Sequence, residues 1–84
     1  MTREEAIKKY PYIVLKIEKI LIREGVNLHL YRLTLSQRGD GTLDLYFEYQ
    51  HKALGLRGSD PENPDHNFIV NSANGNIVSR IYGR

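Results

Sequence analysis

The chain contains no cysteine, which removes disulfide bonds, thiolate nucleophiles and thiolate metal sites together. Small secreted domains usually depend on such staples, so an intracellular, cytoplasmic protein is expected. No apolar run approaches the roughly 20 residues of a membrane span. The opening Met1-Thr2-Arg3-Glu4-Glu5 puts acids where a signal peptide carries only bases. A soluble protein with no membrane partner follows as an expectation. Excess charge is also scarce, the net being +2, but it is unevenly spread. Residues 1–38 hold eight Lys/Arg against four Asp/Glu, and the remainder holds four against six.

Motifs with chemistry are missing too. The histidines His29, His51 and His66 stand 22 and 15 residues apart, unlike the short fixed spacings of metal ligands. They read as solvent-exposed side chains. Asp60, Glu62 and Asp65 cluster as calcium ligands do, but Pro61 and Pro64 interrupt them and no EF-hand glycine or distal glutamate follows. A solvated turn is expected there. Arg38-Gly39-Asp40 spells an adhesion tripeptide that matters only outside the cell, and here it reads as a turn. Ser36, Ser59, Ser72 and Ser79 lack the elbow motif and base of a nucleophile. No metal, no cofactor and no enzymatic activity are expected.

What is present is a foldable chain. Its 84 residues, 40% hydrophobic and 26% charged, predict one globular domain over 1–84, with a core small enough for dimerisation to help it. Thr2 and Glu5 have the spacing of a capping box. After them Ala6, Tyr10, Ile13, Ile17, Ile20 and Leu21 recur at steps of three and four, flanked by Ile7 and Val14, and make one apolar helix face. Pro11 interrupts this helix, predicting a kink or two short helices, and Gly25 stops it.

Val26 to Ser36 reads as a strand whose alternation slips phase between Leu30 and Leu33, as a bulge near Tyr31 or Arg32 would cause. Gln37 to Gly41 forms a hairpin loop. Leu43, Leu45, Phe47 and Tyr49 then alternate with Asp44, Tyr46, Glu48 and Gln50, one side apolar and one wet. Residues 53–65 are a long loop broken by glycines and prolines. Phe68 to Ser72 and Asn76 to Tyr82 flank Ala73-Asn74-Gly75, in which Asn-Gly is a strong hairpin signal because both residues tolerate positive φ. The fold class expected is α+β: a kinked N-terminal amphipathic helix packed on a four-stranded, mostly antiparallel sheet made of two β-hairpins.

Two surfaces are candidates for function. At 100° per residue, Lys9, Tyr12, Lys16, Lys19 and Arg23 fall within about 80° of one another, a basic stripe that Arg32, Tyr31 and Tyr46 would extend if the exposed sheet face lay nearby. Leu15 and Ile22, one heptad apart, point away from both the core face and the stripe and have no cover unless Ala53 to Leu56 wraps over them.

The segment Phe68-Ile69-Val70-Asn71-Ser72-Ala73-Asn74-Gly75-Asn76-Ile77-Val78-Ser79 resembles the closing hairpin of PepSY-type domains, and Thr2-Arg3-Glu4-Glu5-Ala6-Ile7 resembles their opening helix. The chain departs from that pattern in its longer kinked helix and in Asn71, where an Asp is usual. The resemblance implies inhibitory or regulatory binding of protein. The expected function is accordingly a small non-catalytic regulatory or inhibitory protein acting by protein–protein binding. Its contacts would be Leu15, Ile22 and an exposed sheet face with Tyr31, Tyr46 and Glu48, and a homodimer is one form of such contact. The alternative is nucleic-acid binding through Lys9, Tyr12, Lys16, Lys19, Arg23 and Arg32.

Overall fold

Thr2 and Glu5 close the capping box: the Thr2 hydroxyl accepts from the Glu5 N–H and the Glu5 carboxylate accepts from the Thr2 N–H. From this start the computed structural model, which describes residues 1–50 and 64–82, builds helix α1 (Arg3–Lys9). Pro11 divides the helix as its chemistry demands. Tyr10 leaves helical geometry at φ −132° and ψ 58°, and Pro11 becomes the first residue of α2 (Pro11–Arg23), where its missing N–H would have had no partner anyway. Gly25, at φ +86°, ends α2 in the left-handed region.

Four strands follow: β1 (Tyr31–Gln37), β2 (Thr42–Tyr49), β3 (His66–Asn71) and β4 (Ile77–Tyr82). They pair antiparallel in the order β1-β2-β3-β4, and both helices precede them in the chain, an α+β arrangement. Alternation sets the two faces. Leu33, Leu35, Leu43, Leu45, Phe47, Phe68 and Val70 point toward the helices and are buried against Ala6, Ile13, Val14, Ile17 and Leu21. The Phe47 and Phe68 rings meet edge to face, with centroids 6.1 Å apart, at the centre of this layer.

The structure corrects the sequence reading in three places. The strand does not begin at Val26 and there is no bulge near Tyr31, because β1 and β2 pair without a shift from Tyr31–Tyr49 to Gln37–Leu43. A single 3₁₀ turn, Leu28–Leu30, absorbs the phase slip instead. It is started by the Asn27 side chain accepting from the His29 N–H and by the Leu30 N–H reaching the Asn27 carbonyl. The bulge lies elsewhere: pairing passes from Ile69–Ser79 to Val70–Ile77 and leaves Val78 as the inserted residue. The second hairpin is also not closed by positive φ at both Asn74 and Gly75, since only Gly75 adopts it, at φ +73°. Asn71 organises this loop, its side-chain oxygen accepting from the N–H groups of Ala73 and Asn74. That oxygen is an atom Asn and Asp share.

The sheet's two edges differ. Met1 lies along β1 and exchanges two backbone hydrogen bonds with Leu35, at 2.6 and 2.9 Å. At the other edge β4 carries Ile77, Val78 and Ile81 exposed to solvent. Among the described residues no helix is long and apolar enough to cross a membrane.

Candidate protein-binding surface

Helix α2 presents its outer face because its inner face is fully used. Ile13, Val14, Ile17 and Leu21 are buried, and the opposite arc leaves Tyr12 68%, Leu15 54% and Ile22 60% exposed. A shallow groove of about 540 Å³ runs along this arc, lined by Tyr12, Leu15, Lys16, Lys19, Ile20 and Arg23. Leu15, predicted to lie off the basic stripe, therefore shares this groove with the stripe's cations, whereas Ile22 is exposed beside the groove and does not line it. Lys16 and Lys19 stand among Tyr12, Leu15 and Ile20.

Three contacts hold this helix in place. The Lys16 ammonium donates to the Gly75 carbonyl at 3.0 Å, tying the first half of α2 to the β3–β4 loop. Gly75 is required there for its φ of +73°; a Cβ at this position would meet Ile13 Cγ1 at 3.4 Å and the Tyr12 ring at 3.5 Å, ordinary packing distances. At the other end, Arg80 of β4 grips Glu24 with both terminal nitrogens at 2.5 Å, while its guanidinium lies 4.6 Å from the Phe68 ring centroid. This pairing holds the Glu24 carboxyl below the usual carboxylate range. The third contact is to α1. Arg3 clamps the buried Glu18 carboxylate at 2.7 and 3.0 Å, and the guanidinium's own pKa is raised by that hydrogen bond.

Glu18, Glu24 and Arg80 were not picked out from sequence. Glu18 sits one turn from exposed residues on an amphipathic helix, where a glutamate ordinarily reads as solvated, and its partner lies 15 residues away across the Pro11 break. Nothing local signals either ion pair.

The other predicted site residues separate. Lys9 belongs to α1, and the non-helical Tyr10 takes it out of the α2 stripe; its ammonium lies 5.7 Å from the Tyr10 ring centroid. Tyr31 is not on the exposed sheet face. The 3₁₀ turn sets β1 so that Tyr31 shares the helix side with Tyr49 and His66, at ring-centroid distances of 5.6 and 5.7 Å. Tyr46 and Glu48 do occupy the opposite face, but Glu48 pairs with Arg32 at 3.0 Å and the Tyr46 hydroxyl donates to Asp65 at 2.7 Å. Arg32 thus lies across the sheet from α2 and cannot extend its stripe.

Two further expectations change. His66 is buried rather than exposed; burial and the nearby Arg80 hold its pKa below the ordinary histidine value, with Glu24 and Asp65 pulling the other way. Asp65 is not in a solvated turn but fully buried, accepting from the Tyr46 hydroxyl and the Tyr49 N–H. His51, Ser59, Asp60, Glu62 and the proposed cover Ala53 to Leu56 lie outside the described residues. Asp40 stays exposed, its carboxylate accepting from the Thr42 N–H and hydroxyl, as expected of a turn.

On the sheet face away from the helices, a hollow of about 450 Å³ is lined by Thr34, Ser36, Asp44, Tyr46 and Asn67. The Asn67 amide donates to Asp44 within it. No group of three His, Cys, Asp or Glu that could hold a metal ion occurs among the described residues. Compared with known proteins, the chain matches no family model, no curated protein and no solved structure. Its functional reading therefore rests on the geometry of these surfaces.

Proposed function

We propose that this chain is a small non-catalytic regulatory or inhibitory domain that acts by binding another protein through the outer face of α2. The observation that carries this reading is the exposure of Tyr12, Leu15 and Ile22 together on a helix fixed at its middle and at its C-terminal end to the β3–β4 hairpin. Exposed apolar side chains grouped on one face mark contact surfaces more often than scattered ones do. A tyrosine and an arginine at the margins, Tyr12 and Arg23, are the residue types that dominate interface energetics. Rigidity matters because a helix already held in place loses little further freedom on association.

Nucleic-acid binding is the weaker reading. Without Lys9 and Arg32, the stripe reduces to Lys16, Lys19 and Arg23, and Lys16 is partly committed to the Gly75 carbonyl. About three phosphate contacts would give weak binding that falls steeply with salt.

The test uses the Leu15→Asp, Ile22→Asp double variant. Both positions are exposed, so the fold is expected to survive, as judged by circular dichroism and thermal melting. The variant should lose the protein partner that the wild-type chain retains, while generic DNA and RNA bind neither protein at low salt. Retention of the partner by the variant, or nucleic-acid binding that Lys19→Glu abolishes, would overturn the proposal.

A further inference from the structure

The residues lining the α2 groove fall into two neighbouring rows at four-residue spacing, Tyr12–Lys16–Ile20 and Leu15–Lys19–Arg23. The channel between two such rows is the receptor for a matching ridge on another helix, the commonest way helices pack in globular proteins. A β-strand, whose side chains alternate to opposite sides, has no ridge that follows this channel. The shape of the groove therefore selects a helix.

Charge selects which helix. The outward positions 12, 15, 16, 19, 20, 22 and 23 include three cations and no acid. The acids of this region are already neutralised within the fold, Glu18 by Arg3 and Glu24 by Arg80. Lys19 and Arg23 have no ion-pair partner among the described residues. A second copy of the chain docked on this face about a two-fold axis would bring two cationic faces together with no carboxylate between them, and like charges brought together across an interface oppose association.

We infer that the groove receives an acidic amphipathic helix from a different protein, with its apolar ridge between the two rows and its carboxylates meeting Lys19 and Arg23. This rests on the protein-binding reading above and adds the partner's secondary structure and charge. Leu15, Ile20 and the Tyr12 ring supply the apolar contact, and the two cations set orientation and partner choice.

Two synthetic helices with the same leucine ridge, one rimmed with glutamate and one with lysine, test this when titrated into the isotope-labelled full chain and followed by NMR. The glutamate-rimmed helix is expected to shift amides between Tyr12 and Arg23 and to bind at least about tenfold more tightly than its lysine-rimmed twin. The advantage should shrink as salt is raised. Lys19→Glu combined with Arg23→Glu should reverse the preference, and Leu15→Asp should weaken binding of both helices. Equal affinities, a preference for the lysine rim, shifts confined to β4 or the opposite sheet face, or an unreversed preference in the charge-swapped variant would overturn the inference. Self-association lost in Leu15→Asp, seen by sedimentation, would overturn it while leaving protein binding intact. Tighter binding of duplex RNA or phosphatidylserine vesicles at this face would overturn both.

Discussion

Removing Arg3 should unfold this domain more readily than its position on the first turn of a short helix suggests. Its guanidinium makes two hydrogen bonds to Glu18, whose side chain is only 9% exposed, while Arg3 itself is 55% exposed. Breaking a fully buried ion pair by deleting one partner costs about 3–5 kcal/mol, because the remaining charge is stranded out of water. Here more than half of the Arg3 side chain is exposed and part of its attraction is screened, so the expected cost of Arg3→Ala is about 2 kcal/mol. In a domain of this size that lowers the melting temperature by about 8–16 °C.

Glu18→Leu should behave differently. It removes the buried charge, returns Arg3 to solvent and puts an apolar side chain beside the core, so stability should stay within about 1 kcal/mol of the wild type. The double variant Arg3→Ala, Glu18→Leu should recover most of what Arg3→Ala loses. Urea denaturation of the four proteins closes the cycle and isolates the coupling. An Arg3→Ala variant within about 0.5 kcal/mol of the wild type, or a Glu18→Leu variant as destabilised as Arg3→Ala, would show that no buried charge is stranded here.

Other outcomes follow from the same geometry. His66 takes up a proton less readily folded than unfolded, so the unfolded chain binds more protons as the pH falls; stability should be full above about pH 6.5 and decline below it. Urea midpoints at about pH 7.5 and about pH 5 should show this decline, and His66→Gln should reduce the slope. Gly75→Ala places a side chain at a φ of +73°, which L residues rarely adopt, and should cost about 1 kcal/mol or more. Gly41→Ala, where φ is +83° and nothing stands within 4 Å, should cost a similar amount in the same melting assay, since φ is the shared cause. Leu15→Asp should leave stability within about 0.5 kcal/mol of the wild type, because the side chain is half in water already.

The architecture was legible in the sequence wherever a local rule was at work. The capping box at Thr2 and Glu5, the break at Pro11, the stop at Gly25 and the alternation from Leu43 to Phe47 each express a constraint acting over a few residues. What escaped was longer in range. The 3₁₀ turn at Leu28–Leu30 and a bulge shift strand phase in the same way, and only the pairing partner across the sheet tells them apart. That ambiguity misplaced Tyr31, since one residue of phase moves a side chain to the other face. Leu15 and Ile22 were found because helical spacing alone excludes them from the core. The contacts that fix the helix beneath them, Arg3–Glu18, Arg80–Glu24 and Lys16–Gly75, join residues 15, 56 and 59 positions apart and leave no local pattern.

The most direct test of α2 as the binding face is site-specific photo-cross-linking, with a photoreactive residue placed in turn at position 15 on α2 and at position 34 on the opposite face of the sheet. Position 15 is expected to capture a discrete protein whose contact segment is an acidic amphipathic helix, Lys19→Glu with Arg23→Glu to abolish the capture, and position 34 to capture nothing comparable. Capture from position 34 alone, or cross-links from position 15 to nucleic acid only, would contradict α2 as the binding face.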